Sequence, residues 1–395
     1  MKKTVSLAVG VLWLFGCGVL PVSAQQSYSA CIDAIVPQAA KAGLPADMVR
    51  RTLKGVEPDM SILELMDAQP EFKTPIWDYL ASLADDERVD DGKAMLKKWG
   101  KVFQGVEKRF TVSRFVVAAV WGVESDFGDS MGTRQLIQSL ATTSCYGRRR
   151  DYFRKELIAA LTIVHNGDMA SDEMYGSWAG AFGHTQFMPS TFQRLAVDMD
   201  GDGRRDIMNS VPDALGSTAN FLRKAGWNNA LPWGYEVRIT PSFNPALAGR
   251  KAKRPLHEWR AMGVTHIDGS ALKGDYSAAV LLPAGKGGPA FLVTKNFDAL
   301  YSYNAAESYA LAIGVLSDRL QGKPGIRAPW PTDDPPLSRA QRRELQRLLT
   351  FRGYDVGEID GKIGAKTRAA IKEIERQLGM PQRGRAGGKV LDALR

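Results

Sequence analysis

One carboxyl group in this chain sits where a carboxyl is costly. Val112, Phe115, Val116, Ala119, Val120 and Val123 recur at i, i+3, i+4, i+7, i+8 and i+11, a complete apolar stripe of one helix. Thr111 is the expected N-cap and Gly128 the expected stop. Glu124 prolongs the same stripe, four residues after Val120. A carboxylate there meets apolar surface at a helix C-terminus, where the backbone dipole opposes negative charge. Burial and dipole both raise its pKa, so the group holds its proton near neutral pH and can act as a general acid. A lone glutamate in such a place is more often paired with an arginine, so the stripe alone does not decide the matter.

Other chemistries lack support. There is no glycine-rich phosphate loop followed by lysine and no G-x-S-x-G elbow, and His165, His184, His257 and His266 show no paired ligand spacing. A second acidic cluster stands out: in Asp198-Met199-Asp200-Gly201-Asp202-Gly203-Arg204-Arg205-Asp206, aspartates occupy positions 1, 3, 5 and 9 and glycine position 6. Hard oxygen donors around a sharp turn suit calcium, although position 12 is Asn209 instead of the bidentate glutamate, and an acidic solvated turn is the competing reading.

These groups are positioned by a chain of 395 residues, too long for one core, so two domains are expected. The compositions, 44% hydrophobic and 24% charged, are globular, and the net charge of +9 favours an acidic partner. Residues 27–106 carry helical periodicity, broken at Gly43-Leu44-Pro45 and at Gln69-Pro70. After Leu231 come short β-like runs, Val237 to Ile239, Tyr276 to Leu282 and Ala290 to Thr294, before helix returns at Ser308 to Leu320. The fold class expected is mainly α (α+β), with a small β insertion. Residues 322–336 form a Pro/Gly-rich linker expected to isolate the units on either side. Residues 337–395 have helical stripes at Leu345, Leu348 and Leu349 and at Ala370, Ile371 and Ile374. With 14 Lys/Arg against 7 Asp/Glu, this unit holds most of the net positive charge.

The start of the chain points to export. Lys2 and Lys3 precede an apolar run from Val5 to Phe15, and Val22-Ser23-Ala24 reads as a cleavage site, giving a signal peptide over residues 1–24. Leu14-Phe15-Gly16-Cys17 offers a rival lipoprotein site with outer-membrane anchoring through Cys17, but Phe15 is bulky for that role. A periplasmic location follows, and no nucleic-acid partner is expected. Two cysteines remain, Cys31 and Cys145; an oxidising compartment favours a disulfide, with two buried thiols as the alternative.

The segment from Val120 to Gly128, then Met131-Gly132, then Gly176 to Ser190 with its G-x-x-Q-F-M-P-S element, resembles the membrane-bound lytic transglycosylase B family, glycoside hydrolase family 103. The resemblance covers most of residues 27–320. It implies a lysozyme-like catalytic domain over 25–321 that cuts peptidoglycan glycan strands, with Glu124 as the single acid/base and 1,6-anhydro-muramoyl ends as product. It also implies that Asp126 is not a second acid and that the chemistry needs no cofactor. By the same resemblance Ser177 and Gln186 line the glycan cleft and hold N-acetyl groups, while Tyr79, Tyr303 and Asn304 are cleft residues. Arg148 and Arg149 would meet stem-peptide carboxylates, and Phe221 stands where the family often has tyrosine. A structural calcium is implied at Asp198, Asp200, Asp202, Arg204 and Asp206, with Asp213 as the late carboxylate of a longer loop. Residues 337–395, through Ile359-Asp360-Gly361-Lys362-Ile363-Gly364 and Thr367, resemble the three-helix peptidoglycan-binding domain. Within these expectations a hydrolytic muramidase and a catalytically silent wall-binding protein are the competing functions.

Overall fold

The computed structural model describes residues 22–67 and 74–395. The expected signal sequence and Cys17 lie outside the described residues, except for Val22 to Ala24, which open the first helix, Val22–Lys41.

Helices dominate, and the helix Arg114–Ser125 runs through their centre. Its residues Val116 to Gly122 are all buried, so it is apolar on every side and not only along one stripe. It packs chiefly on Glu307–Leu320, with Asp86–Lys98 and Val211–Lys224 as further neighbours. Its ends differ from expectation. Thr111 is not its N-cap; with φ 55° it closes the preceding helix Gly100–Phe110, and Ser113 opens the next one. The helix ends at Ser125, and three successive left-handed residues follow: Asp126 (φ 53°), Phe127 (φ 60°) and Gly128 (φ 98°). Only Gly128 adopts that conformation without cost.

The apolar core divides into two large clusters. One surrounds Arg114–Ser125 and Glu307–Leu320; the other joins Leu136–Tyr146, Arg150–His165 and the first two helices. Phe221 and Tyr303 pack against both, which places them at the seam. Cys31 and Cys145 are joined as a disulfide, tying the first helix to Leu136–Tyr146 across a sequence separation of 114.

The β insertion is a five-stranded antiparallel sheet, ordered Arg254–Pro255, Ser277–Leu281, Ala290–Val293, Gly234–Arg238, Thr265–His266. Ala290–Val293 is buried on both faces: Phe291 and Val293 join the main core, while Ala290 and Leu292 join a separate cluster around Trp259. Alternation along the strand thus fastens the insertion to the helical body.

The C-terminal unit has three helices, Arg339–Phe351, Ala365–Gln377 and Gly388–Leu394, around a core that includes Leu345, Leu349, Ile371 and Leu391. The linker does not isolate it. Arg385 makes a two-pronged pair with Asp78 at 2.7 Å for each prong, Arg343 pairs with Glu87, and Arg342 Nη2 lies 3.7 Å from buried Asp85. Linker residue Trp330 stacks obliquely on Trp77, centroids 6.3 Å apart. The linker's composition forbids helix but not docking, and the basic excess of this unit is partly spent on acids of the helical body.

Candidate active site

Glu124 stands one residue before the end of its helix, half-buried at the seam between the two cores. Burial pushes its carboxyl up to about 8 from an ordinary 4.5, against a smaller downward pull from the hydroxyl of Tyr309, which donates to Oε1. Tyr309 is 2% exposed, and burial together with the nearby Glu124 holds its hydroxyl well above the usual tyrosine range. It lies on Glu307–Leu320, the helix that flanks Arg114–Ser125, and stacks on Tyr303 with centroids 6.1 Å apart. Tyr303 in turn meets Phe221 at 4.6 Å and donates to the carbonyl of Thr185 at 2.6 Å. Tyr79 is close enough to raise Tyr309 further. Glu124, Tyr79, Tyr303, Tyr309 and Phe221 therefore form one cluster.

The segment Gly176 to Ser190 is attached to the Glu124 helix by short-range contacts. Ser125 Oγ donates to the His184 carbonyl at 2.5 Å, and the Trp121 indole N–H donates to His184 Nδ1 at 3.2 Å. Desolvation lowers the His184 pKa, which suits its role as an acceptor. A Cβ on Gly128 would lie 2.5 Å from the His184 ring, so glycine is needed there for space as well as for φ. A Cβ on Gly122 would strike the Phe127 ring at 2.6 Å. Gln186 is itself left-handed (φ 50°), and its amide donates to the carbonyls of Met131 at 2.9 Å and Gly183 at 2.8 Å. Ser177 Oγ accepts from Ala181 N at 3.1 Å and closes the turn that precedes Phe182.

Asp126 is engaged elsewhere, by two arginines. Its Oδ1 is 3.2 Å from Arg88 and 3.3 Å from Arg339, an ion pair to each. Asn304 ends the helix Lys295–Asn304 and is exposed. Arg148 and Arg149 are exposed just ahead of Arg150–His165; Arg148 donates to the Met66 carbonyl and Arg149 lies over the Tyr152 ring at 4.3 Å. They are not part of the tyrosine cluster. An open cavity of about 430 Å³ bordered by Arg238, Lys286 and Arg327 lies in the β insertion and holds none of the residues above.

In the acidic loop, carboxylate oxygens of Asp198, Asp200 and Asp202 lie within 4.8 Å of one another, a spacing that fits a hard cation. Asp206 and Asp213 do not join that group. Asp213 accepts from the backbone N–H of Met199 at 2.7 Å and of Asp206 at 2.8 Å, clasping the loop to the helix Val211–Lys224. Asp206 accepts from Met208 and Asn209 N–H groups. The Arg204 guanidinium reaches the Asp168 carbonyl at 3.2 Å. Of the residues expected to bind the ion, Asp198, Asp200 and Asp202 gather their oxygens, and all five aspartates also accept hydrogen bonds from N–H groups of the loop.

Tyr309, Ser125, Trp121 and His184 are the site residues that spacing did not single out. A buried tyrosine 185 residues from its partner leaves no local signal.

A family comparison agrees with this helical fold: the profile of the transglycosylase SLT domain covers residues 27–318, and the chain belongs to that family. A peptidoglycan binding domain profile covers residues 338–394. Among relatives, the membrane-bound lytic murein transglycosylase B of Escherichia coli K12 is 30% identical over 269 residues, 65% of this chain and 73% of that protein. The structure of SltB3 from Pseudomonas aeruginosa in complex with NAG-anhNAM-pentapeptide is 45% identical over 93% of this chain and 99% of that one, with a TM-score of 0.75. The Escherichia coli lytic transglycosylase Slt35 in complex with calcium is 27% identical over 75% of this chain and 92% of that one, with a TM-score of 0.64.

Proposed function

We propose that Glu124 alone performs both proton transfers of a lytic transglycosylase acting on peptidoglycan. The protein is a peptidoglycan lytic transglycosylase with a C-terminal wall-binding domain. Glu124 gives its proton to the glycosidic oxygen as the bond from C1 of N-acetylmuramic acid breaks. The resulting carboxylate then takes the proton from that sugar's 6-hydroxyl as O6 bonds to C1. Glu124 is left protonated, the product carries a 1,6-anhydro end, and no water is consumed. The observation that carries this reading is the Glu124 carboxyl raised to about 8, with Asp126 committed to Arg88 and Arg339. A two-carboxylate glycosidase would need a second free acid across the bond. Tyr309 donates to the carboxylate that exists between the two transfers. The anhydro sugar bound to the Pseudomonas aeruginosa relative supports the same product class.

Ser177, Gln186, Tyr79, Tyr303, Phe221 and Asn304 line the glycan path in this reading, and Arg148 and Arg149, being exposed, meet stem-peptide carboxylates at its edge. Asp198, Asp200 and Asp202 would hold calcium, which would fasten the loop and take no part in the reaction; the calcium-bound Escherichia coli relative supports this. Export to the periplasm, with cleavage after Ala24 and no lipid on Cys17, completes the proposal. The described residues include no helix long and apolar enough to cross a membrane. The mass of the mature N-terminus tests the export reading. Glu124→Gln tests the chemistry: release of muropeptides should fall about a thousandfold, because the amide has the same shape but no proton to give. Activity within tenfold of wild type would refute the assignment.

A further inference from the structure

The C-terminal domain touches the catalytic helix where that helix is most strained. Asp126 and Phe127 are consecutive non-glycine residues in the left-handed region, a conformation that persists only when surrounding structure holds it. Phe127 is held by packing, edge-on to Trp121 at 5.6 Å. Asp126 is held by charge: Arg88 at 3.2 Å from the helical body and Arg339 at 3.3 Å from the C-terminal domain. Arg88 also donates to the carbonyl of Gly122, inside the last turn of the Glu124 helix.

Arg339 answers more than one carboxylate. Asp85 lies 3.5 Å from it, Asp91 3.9 Å and Glu87 4.0 Å. Asp85 is 7% exposed, and its Oδ2 has no hydrogen-bond partner, so Arg339 and Arg342 are the cations that compensate it. Without Arg339, Arg342 would still face Asp85 and Arg343 would still pair with Glu87, but Asp126 would be left with Arg88 alone. Losing one of two ion pairs weakens the hold on Asp126, whose left-handed backbone persists only while its surroundings hold it.

We infer that Arg339 is a positioning residue of the active site: the wall-binding domain, through Arg339 and Asp126, fixes the terminal turn that carries Glu124. The domain is then a part of the catalytic machinery as well as a grip on the wall, and this rests on Glu124 being the acid. Misplacing an acid by a fraction of an ångström lowers turnover far more than it weakens binding. The hydroxyl of Tyr309 and burial set the Glu124 pKa, and neither involves Arg339, so the pH at which activity declines should stay where it is.

The experiment uses the full chain and soluble, uncross-linked glycan fragments. Arg339→Gln should lower kcat about tenfold with KM within twofold, an unmoved basic limb and an unchanged far-ultraviolet spectrum. Arg339→Lys, which keeps the charge, should recover at least half of kcat. Arg395→Ala, in the same domain and paired to Glu344 and Asp392, should match wild type. Should Arg339→Gln not fold, Asp126→Asn takes its place and must lower kcat by the same factor. A kcat within twofold of wild type, or a loss confined to KM, overturns the inference and leaves a mere docking contact. Glu124→Gln assayed alongside separates the cases: if it is active, the assignment of the acid has failed; if it is inactive while Arg339→Gln is normal, only the role of Arg339 has.

Discussion

Replacing Glu124 by glutamine should remove activity and strengthen the fold, and the second effect can be sized from the structure. The carboxyl titrates at about 8 in the folded protein and from an ordinary 4.5 when unfolded. Between those values the unfolded chain ionises and the folded one does not, so stability declines as pH rises from 4.5 and levels off above 8. At pH 7 the deficit integrates to about 3 kcal/mol, and water entering from the cleft side trims it toward about 2 kcal/mol. Glutamine keeps the shape and can still accept from Tyr309, yet carries no charge in either state. Urea unfolding of wild type and Glu124→Gln at pH 7 should therefore show the variant more stable by about 2–3 kcal/mol, with the gain gone at pH 4. A variant no more stable at pH 7, or one with the same gain at both pH values, would mean that the carboxyl is not held protonated by burial.

Tyr309→Phe removes the donor that lowers the Glu124 pKa, so the basic limb of the pH–rate profile should move above its wild-type position near 8 while kcat falls; an unmoved limb would exclude that hydrogen bond. Calcium a hundredfold above its Kd should stabilise the protein by about 2.7 kcal/mol, and Asp200→Ala with Asp202→Ala should abolish the shift seen between melting curves in calcium and in chelator. Superimposable wild-type curves would reduce the loop to an acidic turn. Cys31→Ser with Cys145→Ser should cost about 4 kcal/mol by urea unfolding, given the long loop the bridge closes; a loss under about 1 kcal/mol would contradict that role.

Much of the framework was legible in the chain. The three β-like runs became the central strands of the sheet, the C-terminal stripes became two of that unit's three helices, and the stripe before Glu124 became the central buried helix. Local pattern served wherever a single element decides the outcome. It failed where two elements meet. Thr111 has the side chain of an N-cap, but a left-handed φ makes it the end of the preceding helix. The aspartates of the acidic loop share one composition, yet only Asp198, Asp200 and Asp202 gather their oxygens, while Asp213 clasps the loop to the helix that follows. Tyr309 and Arg339 owe their places to tertiary packing across 185 and 213 residues, which no spacing within a helix reveals. A proline-rich linker shows where helix must stop, and it says nothing about whether the arginines beyond it will find Asp78 or Asp126.

The most direct test is the mass of the sugar ends released from sacculi digested in water enriched in oxygen-18. If Glu124 alone moves both protons and the 6-hydroxyl is the nucleophile, every new muramoyl end will be one water lighter than a hydrolysed end and free of the heavy isotope. Ends that carry oxygen-18 would show that water attacks C1, and the enzyme would then be a hydrolytic muramidase built on the same fold.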